Sequence, residues 1–154
     1  VEVKRGFVTM LGNSYFAAKE DFGGVVRELF YCLRDYDMPK FQKVLNTYLS
    51  SIDYVMRKDK EYHFQYTLYL LFSLVSTYAV REQHNSQGRA DLIVETKKHV
   101  YIFEFKLDGT AQQALKQIED RGYAMPYGLD PRPKHKIGVS FGKKSGRIDD
   151  WKEE

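Results

Sequence analysis

GRADLIVETKKHVYIFEFK, residues 88–106, is the stretch from which the rest of the chain is read. It divides into two strands joined by a tight polar turn, and three of its charged residues fall where a strand is normally apolar. Asp91 stands near the start of the first strand, and Glu104 and Lys106 near the end of the second. Alternation along a strand puts Val100, Ile102, Glu104 and Lys106 on one face and Tyr101, Phe103, Phe105 and Leu107 on the other. Both faces begin apolar, which predicts a central strand covered on each side. Burying a carboxylate and an ammonium at the end of such a strand costs on the order of several kcal/mol for each unpaired ion. A metal ion held by Asp91 and Glu104 would offset that cost.

An Asp, a spacer and then Glu-x-Lys closing a hydrophobic strand resembles the PD-(D/E)xK nuclease superfamily. The fuller wording, GRADLIV followed by YIFEFKLDGTAQQALKQIEDRGYAMPY, resembles the bacterial branch in which this domain follows an AAA-ATPase-like domain. The likeness covers roughly residues 54–151. Ala90 stands where the superfamily's name has proline. The resemblance implies an α/β, restriction-endonuclease-like core, a central mixed sheet flanked by helices, behind a helical N-terminal extension. Residues 1–55 would be that extension and residues 56–154 the nuclease-like domain. It further implies a Mg²⁺ site, with Mn²⁺ as a substitute, formed by Asp91, Glu104 and a further acid from the preceding helix. Glu61, just before Tyr62-His63, is the first candidate for that acid and Glu82 its rival. Gln117 and Tyr123 resemble the Gln and Tyr of the extra motif in RecB-like nucleases, with a longer spacing here. There these residues help hold the active site or the substrate backbone. The implied partners are nucleic acid, with DNA ahead of RNA, and an ATPase-like domain of the same chain; a homodimer is compatible.

The residues alone carry part of the same chemistry. Phosphodiester hydrolysis needs an activated water, charge stabilisation at the phosphate and help for the leaving oxygen. Two carboxylates offer hard oxygen ligands of the kind Mg²⁺ takes. Lys106, on the face of Glu104, can orient or deprotonate a water or neutralise phosphate charge. The competing reading of the three residues is a structural ion cluster. The competing reading of Glu61 is an acid that complements a helix N-terminus. Two alternatives to the enzyme stand beside it: a non-catalytic nucleic-acid-docking or regulatory module on the same fold, and an interaction module built by the first 55 residues.

At 154 residues, 43% hydrophobic and 15% aromatic, the chain is sized for one compact domain with a helical extension. The net charge of +3 is small, but residues 131–148 contain no acid while Arg132, Lys134, Lys136, Lys143, Lys144 and Arg147 are basic. Lys143 and Lys144 are candidate substrate contacts. So is Arg89, for which a salt bridge is the plainer alternative. The single Cys32 excludes an internal disulfide and fits a reducing cytoplasm. The most apolar run, residues 67–80, is shorter than a membrane span and broken by Ser73, Ser76 and Thr77. His63, His84, His99 and His135 show no zinc spacing, and no Walker-type glycine loop is present. The Val start, in mid-pattern, suggests a C-terminal fragment of a longer protein.

Periodicity predicts helices over 1–16, 25–36 (after a break at Gly23-Gly24), 38–52 and 60–78. A short strand is expected at 80–84. After Lys106, Thr110 is a candidate N-cap for a helix over 111–121, with Gln113 and Gln117 one turn apart. A loop over 123–133, a strand over 136–141, a basic turn and an edge strand over 147–151 complete the chain.

Overall fold

The computed structural model describes residues 22–51, 71, 74–75 and 92–154. The chain divides into two compact units, Val1–Tyr78 and Ala79–Glu154. The expected helix over 1–16, most of that over 60–78 and the expected strand over 80–84 lie outside the described residues.

In the first unit, helix α1 (Phe22–Asp35) buries Val26, Leu29 and Leu33, three and four residues apart. The expected break at Gly23-Gly24 does not occur. Both glycines lie at the start of α1, where a loose glycine backbone costs least. The helix ends at Tyr36, which takes a left-handed conformation at φ 56°, while the Asp37 N–H donates to the Cys32 carbonyl at 2.8 Å. Asp37 then starts α2 (Met38–Ser51) by accepting the Lys40 N–H on its carboxylate at 3.0 Å. Pro39 falls in the first turn, where its missing N–H is no loss. Phe41, Leu45, Tyr48 and Leu49 form the buried stripe of α2, which contacts α1. Leu71, Leu74 and Val75 are helical and buried.

Among the described residues, the second unit is built on a mixed four-stranded sheet in the order β1-β2-β3-β4. Strands β1 (Leu92–Glu95) and β2 (Val100–Leu107) form the expected antiparallel hairpin, with Leu92 opposite Phe103 and Glu95 opposite Val100. Thr96 fastens its turn by accepting the backbone N–H groups of Lys98 and His99 at 3.3 and 2.9 Å. Parallel pairing of β2 with β3 (Lys134–Phe141) requires a crossover, which α3 (Ala111–Asp120) supplies. A 3₁₀ turn at Met125–Tyr127 interrupts the loop expected over 123–133. Strand β4 (Ile148–Glu153) returns antiparallel to β3.

With a strand on each edge, β2 is central, and Val100, Tyr101, Ile102 and Phe103 are fully buried. One face packs Val100 and Ile102 under Leu115, Ile118, Tyr123 and Tyr127. The other carries a row of stacked rings, Tyr101 to Phe103 at 6.3 Å and Phe103 to Phe105 at 6.0 Å between centroids. Trp151 of β4 meets Phe103 edge-on at 6.2 Å. Phe103 is therefore the hub of this face. Phe103→Ala is expected to destabilise the unit by about 3–5 kcal/mol, read as a lowered urea midpoint of the sheet's unfolding.

Candidate active site

The alternation that buries Val100 and Ile102 beneath α3 carries Glu104 and Lys106 to the same face, at the end of β2. Glu104 is 3% exposed, and its Oε2 is shut off from solvent. A carboxylate so placed needs charge and hydrogen-bond compensation. Two side chains converge on its Oε1: the Lys106 ammonium at 3.4 Å and the Gln117 side-chain amide, which donates to it. The Gln117 carbonyl oxygen in turn accepts from Lys106 Nζ at 2.5 Å. Glu104, Lys106 and Gln117 thus form a closed triangle, each held by the other two.

The start of α3 is fastened at several points, and these set where Gln117 falls. Asp108 turns the chain out of β2 in a left-handed conformation, φ 52°, which a short polar side chain tolerates. Its N–H donates to the Phe141 carbonyl and its carboxylate accepts the Lys143 N–H, both at 2.8 Å. Thr110 and Gln113 form a reciprocal capping box. Gln113 is therefore occupied at the helix end, and Gln117, one turn on, is the glutamine that reaches Glu104. The Asp150 carboxylate, from β4, accepts the Ala111 N–H at 2.8 Å, and Ser140 donates to the Gly109 carbonyl at 2.9 Å. Beneath the helix, Gly138 is the β3 partner of Glu104. Its missing side chain lets the Ala111 carbonyl and the Ala114 methyl lie directly on the strand.

Asp91, Glu61 and Arg89 lie outside the described residues. Tyr123 is 4% exposed and packs in the core with Val100 and Ile102. Lys143 and Lys144 are exposed on the β3–β4 turn, which the Asp108–Lys143 bond ties to the end of β2. The basic stretch itself is less free than its composition suggests. Arg132 pairs with Asp130 at 2.5 Å and Glu95 at 2.9 Å and donates to the Thr96 carbonyl at 2.6 Å. Lys134 donates to the Asp130 carbonyl, and Lys136 pairs with Glu119. These three cations hold loop to hairpin and helix to sheet.

Two histidines far apart in sequence, His99 and His135, meet in space. Tyr101 is the register partner of His135, which brings His99 Nδ1 within 3.0 Å of His135 Nε2. His135 Nδ1 lies 2.9 Å from the Glu153 carboxylate. Burial, helped by His135 and Lys98, holds the His99 imidazole below its ordinary pKa. Among the described residues no three His, Cys, Asp or Glu side chains come together as a metal site. Glu104 supplies one buried hard oxygen donor at a strand end, with a cation beside it to balance the charge. That donor suits a Mg²⁺-type ion.

A mixed α/β sheet whose central strand ends in Glu-x-Lys, with a glutamine from the crossover helix on both, defines a restriction-endonuclease-like fold. The chain belongs to the PD-(D/E)XK nuclease superfamily, whose family model matches residues 59–151. Members of that superfamily are in general metal-dependent nucleases. The chain is also 31% identical over 128 residues to "Uncharacterized protein in vnfD 5'region" of Azotobacter chroococcum mcd 1. That alignment covers 79% of this chain and 25% of the relative, so it spans about a quarter of the relative's length. No solved structure matches the chain. Among the described residues no helix is long and apolar enough to cross a membrane.

The Arg132 clamp has a pH signature. Hydrogen bonds from the Arg132 side chain and backbone pull the Asp130 carboxyl from its ordinary 3.8 down to about 2. A depressed carboxylate contributes stability that is complete above the unfolded value and lost as pH falls through the folded one. The stability difference between the parent and Arg132→Gln should therefore be full above pH 3.8 and shrink towards pH 2. Denaturation midpoints measured across that window check it.

Proposed function

We propose that this chain is a Mg²⁺-dependent phosphodiester hydrolase acting on DNA, the nuclease domain of an ATPase-linked protein. The observation that carries the reading is the Glu104–Lys106–Gln117 triangle at the end of the buried central strand. Superfamily membership gives this triangle a chemical setting. Asp91 and Glu104, with Glu61 as the further acid, would hold the cation. When bound, it neutralises phosphate charge and lowers the pKa of a coordinated water.

The chain's own residues do the remaining tasks. Gln117 fixes the Glu104 carboxylate through Oε1, which leaves the carboxylate a single orientation. Its carbonyl takes one of the three Lys106 N–H donors, which aims the others. Lys106 then places a fixed positive charge where the phosphate oxygens gain charge in the transition state. Lys143 and Lys144 contact the backbone of the substrate from the β3–β4 turn, with Tyr123, packed with Val100 and Ile102, helping to hold the active site and Arg89 as a further phosphate contact. Phosphate contacts of this kind carry no sequence information, so cleavage is directed by structure or context.

The deciding experiment is cleavage of plasmid and single-stranded DNA with Mg²⁺ or Mn²⁺. Metal-dependent cleavage is expected in the parent and should fall by at least about 10²-fold in Glu104→Gln, Lys106→Ala and Asp91→Ala. DNA binding without cleavage under any of these conditions would replace this reading with that of a docking module.

The basic turn makes a separate prediction. Lys143→Ala/Lys144→Ala should weaken DNA binding about equally across sequences. It should also lower the slope of log affinity against log salt by about 2, roughly one per lost phosphate contact. A titration series at several salt concentrations measures this.

A further inference from the structure

Gln117 reaches Glu104 and Lys106 only if α3 lies at one height above the sheet and begins at one residue. Two groups outside the triangle set these coordinates. Gly138 sets the height. It pairs with Glu104 across β2 and β3, and it faces the first turn of α3. A Cβ at this position would fall inside the contact shell of the Ala111 carbonyl oxygen and 3.1 Å from the Ala114 methyl. The obstacle is mainly backbone, so a side-chain rotation cannot relieve it; the helix would have to rise. Asp150 sets the start. Its carboxylate accepts the Ala111 N–H at 2.8 Å, an anion at a helix N-terminus, and it extends from β4 opposite Ser140. Ser140 in turn bonds the Gly109 carbonyl just before the helix.

We propose that Gly138 and Asp150 are positioning residues for the active centre: they seat α3 so that Gln117 spans Glu104 and Lys106. Neither touches the reacting groups. The inference deepens the nuclease reading and rests on it for the catalytic consequence, while the seating itself has an independent signature. The side-chain amide of Gln117 donates to a buried carboxylate, so the hydrogen in that bond should exchange slowly.

The test compares the full chain with Gly138→Ala, Asp150→Ala and Asp150→Asn, each alone and combined with Gln117→Ala. In the parent, NMR should show a protected Gln117 side-chain amide. Gly138→Ala and Asp150→Ala should lose that protection, whereas Asp150→Asn, which keeps an acceptor for the Ala111 N–H, should retain it. Displacement of a catalytic group on the order of 1 Å costs about 10²-fold in rate, so DNA cleavage by Gly138→Ala should fall by about that factor. Adding Gln117→Ala to Gly138→Ala should cause no further loss, the non-additivity of groups acting through one contact. Asp150→Ala carries no steric clash and provides the same comparison if Gly138→Ala does not fold. An unchanged Gln117 amide in both variants overturns the proposal, as does a fully additive loss in the double variants. If the parent does not cleave DNA but the amide behaves as described, the seating stands and the nuclease reading falls.

Discussion

The structure of the sheet unit depends on one electrostatic requirement, a carboxylate held out of water at the end of a hydrophobic strand. Glu104 is nearly as buried as the Ile and Phe before it, and an ion in that position is tolerated only with donors fixed around it. Lys106 arrives on the same face because strand side chains alternate. Gln117 arrives only because the crossover helix is seated against the strand beside Glu104. Remove the seating and the carboxylate loses its amide donor, so packing and chemistry are here the same constraint.

That constraint explains how the small, polar details of the fold are spent. The capping box at Thr110, the Asp150 carboxylate and the Ser140 hydroxyl all act at the start of α3. Their contributions are individually modest, about 1 kcal/mol for a cap, but they act on one element whose second turn carries Gln117 to the site. At the other end of the sheet, Arg132 binds the loop after α3 to the first hairpin through Asp130, Glu95 and the Thr96 carbonyl. The Tyr127 hydroxyl donates to the same Glu95. Burial, with the Glu95 charge adding to it, pushes the Tyr127 phenol well above its ordinary pKa. Helix α3 is thus fastened at both ends.

Much of this was legible in order of residues because it depends on local rules. The 92–107 hairpin follows from two apolar runs about a polar turn. The two faces of β2 follow from alternation, and the α3 start from Thr110 as its N-cap. Pro39, suited to a first helical turn, marked the start of α2. The glycines at 23 and 24 misled because their effect depends on position within a helix, and the first turn forgives them. The free appearance of the 131–148 cations misled for a different reason. Their counter-charges, Asp130, Glu95 and Glu119, are distant or just outside the acid-free stretch, and only folding brings them into reach. Gly138 did leave a trace, an isolated glycine inside a strand pattern, which is a signal of close backbone approach.

The sequence by itself determined the strands, the helix between them, and the Glu104–Lys106 pair with its superfamily likeness. These are properties of periods and short spacings, and they survive without knowledge of what lies opposite. Tertiary structure alone decided that Gln117 spans Glu104 and Lys106, and which cations are consumed in ion pairs. It also decided that two unconnected histidines share a hydrogen bond and that a glycine sets the height of a helix. Each of these depends on strand register and helix seating, which join residues tens of positions apart, and no one-dimensional pattern specifies a distance between them.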